Sequence, residues 1–333
     1  MAFYNASLSG GGSGGSAIAC PLGKLVADGS VNESTLPYNF YKASTLVYND
    51  EIHILGSYDS PYTYHYKWNG ITWESVSTLP YTFRYSSAVV YNNEIHILGG
   101  FDSGCYTNHY KWNGSEWVSV STLPYNFYRS CAVVYNNEIH IMGGSDSSYR
   151  TSHYKWNGTS WSSVSTLPYE FYDSCAVVYN NEIHILGSTA NRTAHYKYNG
   201  SSWISVSTIP YYFCDGSAVV YNDEIHILGS GYGNLGVYYY KWNGSSWSNV
   251  STLSYKFYNG GAVVYDKFIH ILGGMEDFTA HYSLKNGTFL IGYAKKDSEI
   301  FYPISSTAIT DNLQATTDGY KVIEDGKVEI MNL

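Results

Sequence analysis

Residues 123–166 read LPYNFYRSCAVVYNNEIHIMGGSDSSYRTSHYKWNGTSWSSVST, and the chain repeats this phrase, with substitutions, six times in succession. Its opening pattern, Leu/Ile-Pro-Tyr-x-Phe, has its first position at Leu36, Leu79, Leu123, Leu167, Ile209 and Leu253, so the starts lie 43, 44, 44, 42 and 44 residues apart. Such a period marks an array of small units that cannot bury their apolar faces alone and must stack on their neighbours. Within the quoted unit, Ala132 to Tyr135 and Glu138 to Met142 are apolar, β-branched runs separated by a two-residue polar link, which predicts two paired strands. A third strand, His153 to Trp156, ends at Asn157-Gly158, a strong hairpin signal because both turn positions tolerate positive φ. The fourth runs from Trp161 to Val164. Four antiparallel strands in each of six units predict an all-β, six-bladed β-propeller.

The run Ala-Val-Val-Tyr-Asn-x-x-Ile-x-Ile-Leu-Gly-Gly, an aromatic third strand, a Trp opening the fourth and a Leu-Pro closing it resemble the kelch repeat. The double glycine is clearest at Gly99-Gly100, Gly143-Gly144 and Gly273-Gly274, while Ser57, Ser188 and Ser230 stand in its second position elsewhere. The resemblance covers roughly residues 34 to 293, and the last unit drifts, with Leu284 and Phe289 at two Trp positions. It implies a kelch-like propeller whose closing strand is open to question, with residues 22 to 31 as one candidate. Residues 1–33 then form an N-terminal tip with a Gly/Ser linker at 9–16, residues 34–293 the propeller, and residues 294–333 a small C-terminal β extension with a candidate hairpin around Asp325-Gly326.

Composition narrows the function. Of 333 residues only 14% are Asp, Glu, Lys or Arg, and the net charge is -9, which disfavours a nucleic-acid partner. No run of 18 apolar residues predicts membrane insertion, and residues 1 to 19 lack a secretory signal, so the expectation is synthesis in the cytoplasm. Five cysteines, Cys20, Cys105, Cys131, Cys175 and Cys214, form an odd set without metal-ligand spacing and read as free thiols.

The most repeated residues read as scaffold. Six histidines hold one second-strand position (His53, His96, His140, His184, His226, His270) and five hold one third-strand position (His65, His109, His153, His195, His281), with Tyr239 in the fifth unit. Spread once per unit around a ring, they cannot converge as metal ligands do, so neither a metal nor another cofactor is expected. The nine tryptophans are equally periodic and read as packing between blades.

Positions that differ among the units are free to serve something else. One variable block follows the Phe of the opening phrase: Tyr41-Lys42, Arg84-Tyr85, Tyr128-Arg129, Tyr172-Asp173, Cys214-Asp215 and Tyr258-Asn259. The other is the loop between the second and third strands, which changes in length and carries Tyr58, Phe101, Tyr106, Tyr149, Arg150 and Tyr232. Because strands alternate in direction, both blocks emerge on one face, around the channel. Tyrosine supplies contact area at low entropic cost, and Arg and Asp supply directed hydrogen bonds, so this composition reads as a recognition surface.

The leading expectation is therefore a non-enzymatic module that binds a protein segment or a cell-surface glycan, as kelch-like domains commonly do through this face. Low charge, abundant Ser, Thr, Asn, Gly and Tyr, and the tethered tip resemble a bacteriophage structural or fibre protein, which would make it virion-associated, with residues 1–16 and 294–333 available for self-association. One alternative is a sugar-processing enzyme, since some kelch-like propellers resemble sialic acid epimerases and copper oxidases. For it, Asp173 and Asp215 in adjacent blades are the conceivable carboxylate pair. Another is a structural spacer assembled through its tail.

Overall fold

In the computed structural model, residues 24–25, 30–57, 59–60, 62–101, 107–145, 150–232, 235–253, 255–284, 292–294, 301–303, 313–316 and 319–322 are described. The third blade consists of strands Tyr128–Tyr135, Glu138–Ser145, His153–Trp156 and Trp161–Ser163, paired antiparallel in chain order. The first, second, fourth and fifth repeat units form sheets of the same order. The link between first and second strands is a two-residue turn with both residues at positive φ, 49° and 59° at Asn136 and Asn137, as a type I′ hairpin requires. The Asn-Gly pair, read from the sequence as such a turn, does something different. Trp156 pairs with Trp161, leaving a four-residue loop in which the Asn157 side-chain oxygen accepts from the amides of Thr159 and Ser160, both at 2.9 Å. Only Gly158 of the pair has positive φ.

The core lies between blades. Val89, Tyr91 and Leu98 of the second blade pack on Leu123, Phe127, Ile139, Ile141 and Trp156 of the third. The phenylalanines of the opening phrase, Phe40, Phe83, Phe127, Phe171, Phe213 and Phe257, are fully buried, each worth about 2–3 kcal/mol of apolar burial. The first glycine after each second strand meets the next blade's phenylalanine. At Gly229, φ is +69° and a Cβ would lie 1.7 Å from the Phe257 carbonyl oxygen. Gly229→Ala is therefore expected to lose roughly 3 kcal/mol or more, read as a fall in Tm of about 6 °C or more. At the second position, glycine takes positive φ in three blades. Where serine replaces it, the hydroxyl donates to the x residue of the opening phrase: Ser57 to Asn39 O at 2.8 Å, Ser188 to Glu170 O at 3.1 Å, and Ser230 to Tyr212 O at 2.7 Å.

The repeated histidines form an internal polar chain. In the first blade His53 Nδ1 meets His65 Nε2 at 2.9 Å, His65 Nδ1 meets Ser77 Oγ at 2.8 Å, and Trp117 of the next blade donates to the same oxygen at 3.0 Å. Tryptophan can only donate, so the serine oxygen accepts and its own proton is free for His65 Nδ1. The arrangement recurs in the second and fourth blades with Ser121 and Ser207. In the fifth, the Tyr239 hydroxyl takes the place of the second imidazole, 2.7 Å from His226. The tryptophans pack between blades as expected, Trp156 and Trp161 lying edge-on against His109.

The sixth sheet settles how the ring closes. Its order is Gly261–Tyr265, Phe268–Leu272, Ala280–Leu284, then Ser30–Thr35 from the N-terminal region, with Lys24–Leu25 outermost. Ser34 Oγ lies 2.7 Å from His281 Nδ1 and accepts from Trp73 of the first blade at 2.9 Å, repeating the role of Ser77. The fourth strand of this blade thus comes from Ser30–Thr35, which overlaps the end of the 22 to 31 candidate, and Phe289, read as its opening, lies outside the described residues.

The chain divides into two compact units, residues 34–282 and a second made of residues 1–33 with 283–333. In the second, Gly292–Ala294 pairs with Phe301–Pro303, and Leu313–Thr316 pairs with Gly319–Val322. The hairpin expected around Asp325-Gly326 lies outside the described residues. No described helix is long and apolar enough to cross a membrane.

Candidate functional site

The two variable blocks do share a face, and they hydrogen-bond to each other. Phe101 N donates to Arg84 O at 3.1 Å, Thr189 N to Tyr172 O at 3.1 Å, Gly231 N to Cys214 O at 2.8 Å, and Met275 N to Tyr258 O at 3.1 Å. The first block ends on a closed ring of backbone bonds around the channel. Lys42 N donates to Asn259 O, Tyr85 N to Lys42 O, Arg129 N to Tyr85 O, Asp173 N to Arg129 O, Asp215 N to Asp173 O and Asn259 N to Asp215 O, at 2.6 to 3.2 Å. All six residues have φ between 52° and 57°. The left-handed region costs most side chains about 1–2 kcal/mol, and glycine avoids that cost. Asn and Asp are the tolerant exceptions, but Lys42, Tyr85 and Arg129 are not. The blades share one strained backbone and differ only in what it carries.

These six side chains line a cavity of about 130 Å³ at the channel mouth, together with the small residue that follows each of them in sequence. At about 30 Å³ per water, that holds roughly four waters, so a ligand can insert a few atoms but not a whole sugar or peptide. Arg129 donates to Asp173 at 2.6 Å and lies over the rings of Tyr85 at 4.7 Å and Tyr128 at 5.1 Å. Asp173, 4% exposed, also accepts from Thr189 Oγ1 at 3.1 Å. Lys42 lies over the rings of Tyr41 and Tyr85 and hydrogen-bonds the Tyr85 hydroxyl.

Asp215 is the most perturbed acid of the site. Burial first, and then the neighbouring Asp173 carboxylate, push its pKa up to about 7 against the pull of Arg129 and Lys42. Asp215 is therefore partly protonated near neutrality. Because the folded pKa exceeds the unfolded one, the stability this group contributes is present in acid and is lost as pH rises through about 7. Asp215→Asn, held neutral, is expected to be about 1–3 kcal/mol more stable than the parent at pH 8, an advantage that shrinks toward pH 6. Thermal melts of both proteins across that range check it.

Of the residues named from the sequence, Lys42, Tyr85, Arg129, Asp173, Asp215 and Asn259 converge on the cavity. Their immediate predecessors do not line it. Tyr172 is buried, and its backbone amide donates to Ser188 Oγ at 3.3 Å. Tyr41 packs edge-on against Phe278, Tyr128 lies on Phe101, and Arg84 donates to Phe101 O at 2.9 Å. Tyr258 is half-buried. Arg150 is placed over Tyr125, while Tyr58, Tyr106 and Tyr149 lie outside the described residues. Tyr232 is exposed at the rim, and beside it stand two residues that sequence reasoning missed, Tyr212 and Arg192. Tyr212 occupies the x position of the opening phrase, where the units carry Asn39, Thr82, Asn126, Glu170, Tyr212 and Lys256. Comparing that position across units would have found it.

Cys131, Cys175 and Cys214 are free; burial pushes the Cys131 thiol up to about 12, leaving it inert. Among the described residues, no group of three or more His, Cys, Asp or Glu is placed to hold a metal ion.

No protein-family profile matches the sequence, and no curated protein matches it significantly. Among solved structures the chain is similar to YjhT, with a TM-score of 0.65 and 15% identity over 75% of this chain and 95% of that one. At that identity the likeness concerns the fold alone, which is a six-bladed β-propeller.

Proposed function

We propose that the protein is a non-catalytic recognition module that binds a polar ligand across the mouth of its channel. The observation that carries this reading is the ring of six left-handed residues. A scaffold alone would relax toward glycine there, whereas this chain keeps Lys42, Tyr85 and Arg129 in a conformation that disfavours them. Strain of this kind, beside a desolvated charge pair and an aromatic rim, fits preorganised binding. The resemblance of the repeats to kelch repeats supports the same face.

A second reading, an acid–base enzyme, draws on one observation, the raised pKa of the buried Asp215 beside Asp173. Against it, Arg129 holds Asp173 as a structural counter-ion.

Folded variants decide between them. Tyr85→Ala with Asp215→Ala, checked by thermal melting, is compared with the parent against displayed-peptide and glycan libraries. Loss of binding by a hundredfold or more supports the mouth as the site, and unchanged binding removes it. Turnover of a sugar by the parent but not by Asp215→Ala would establish the enzyme reading instead.

A further inference from the structure

Resting on the recognition reading, we propose that the ligand is a neutral glycan read on at least two sugars, one seated over Asp215 and Asn259 and the next stacked on Tyr212 and Tyr232. Gly231 lies so close to Asp215 that a Cβ there would sit 2.8 Å from Oδ2, so Tyr232, the next residue, begins at the edge of the cavity. Its ring meets that of Tyr212 edge-on at 5.1 Å, and the Arg192 guanidinium lies 4.4 Å over Tyr232 and 5.9 Å over Tyr212. Arginine stacking holds both rings in place while they stay 47% and 42% exposed, for Tyr212 and Tyr232 respectively. Among the described residues only Tyr169 is an equally exposed aromatic. A fixed, exposed aromatic pair beside a polar notch is a platform for the C–H face of a sugar, offering an apolar body with a polar tip.

The charges select for neutrality. An anionic ligand meets the Asp173 carboxylate, and a cationic one meets Lys42 and Arg129, so either sign is opposed from one side of the ring. A polyhydroxyl suits all of it. Protonated Asp215 can donate and accept, Asn259 does both, and Asp173 accepts, which matches adjacent hydroxyls that also do both. The cavity is too small to enclose a sugar, so hydroxyl groups enter the notch while the ring rests on the rim.

Calorimetric titrations with lactose, mannotriose and chitotriose as neutral probes, sialyllactose as an acidic one and a lysine-rich peptide as a cationic one test this directly. At least one neutral probe is expected to bind, weakened more than tenfold by Asp215→Ala and about tenfold by Tyr232→Ala, retained by Tyr232→Phe and unchanged by Tyr169→Ala. A preference for the acidic or cationic probe overturns the proposal, as does neutral binding that survives both alanine variants. If no sugar binds but a displayed-peptide library yields binders that Asp215→Ala loses, the glycan assignment falls and the recognition reading stands. If neither class binds at the mouth, both fall.

Discussion

Acidification from pH 7 to pH 5 is expected to unfold the propeller in one steep transition with a midpoint between about pH 5 and 6, because an unfolded chain takes up protons that the folded one refuses. Burial holds His53, His96, His140, His184 and His226 at about 4, and His65, His109, His153 and His195 at about 3; His281 also lies well below the ordinary value. Near His53, Glu51 opposes burial to a smaller extent and Lys67 adds to it, as Glu94 and Lys111 do near His96. The folded pKa values are depressed, so the stability these ten groups supply is complete above the unfolded value of about 6.5 and is lost as pH falls below it. At pH 5 each contributes a loss of about 2 kcal/mol, so ten contribute about 20 kcal/mol, more than the 5–15 kcal/mol of an ordinary domain. Circular dichroism against pH locates the midpoint, and potentiometric titration across it should show uptake of about ten protons. A protein still folded at pH 4, or a transition taking up two or three protons, contradicts the buried neutral assignment.

The fold was legible because its signals repeat. Six copies of one pattern average out the ambiguity that a single Ala-Val-Val-Tyr run carries. What escaped was what occurs once. The closing strand, Ser30–Thr35, matches the others only in Ser34-Thr35-Leu36, the same Ser-Thr-Leu that ends the fourth strand at Ser77-Thr78-Leu79. Its other residues follow the alternation of any edge strand, and its partner Ala280–Leu284 lies almost 250 positions away. The site was half legible for a related reason. Variation among blades found the ring residues and also their neighbours, such as Tyr172, because both positions vary, and sequence variation alone does not reveal that the second takes the left-handed conformation that closes the ring. Arg192 and Tyr212 come together only through loop geometry, since nothing in the sequence puts Arg192, in one blade's loop, over the next blade's ring.

The serine that ends each fourth strand offers a test of ring closure with a built-in control. Ser77 joins the buried His65 and the half-buried Trp117, and Ser77→Ala leaves His65 Nδ1 and Trp117 Nε1 without it. Removing the partner of a buried imidazole and of a half-buried indole costs about 1–3 kcal/mol. In the third blade the link is already broken: His153 Nδ1 and Trp203 Nε1 are buried and have no hydrogen bond, so Ser165 does not bridge them. Tyr198 replaces the third-strand tryptophan of the following blade, and Ser165 lies near its hydroxyl instead. Ser165→Ala therefore breaks no bridge between a histidine and a tryptophan and is expected to change stability by less than about 1 kcal/mol. Ser34 decides which class the N-terminal strand belongs to. If it is the fourth strand of the sixth blade, holding His281 at 2.7 Å and Trp73 at 2.9 Å, then Ser34→Ala matches Ser77→Ala in cost. Denaturant unfolding of the three variants gives the ordering, and a Ser34→Ala protein as stable as Ser165→Ala would mean that this strand does not close the ring. The same substitution can thus weaken the molecule or leave it untouched according to whether a neighbouring blade has brought its tryptophan within reach.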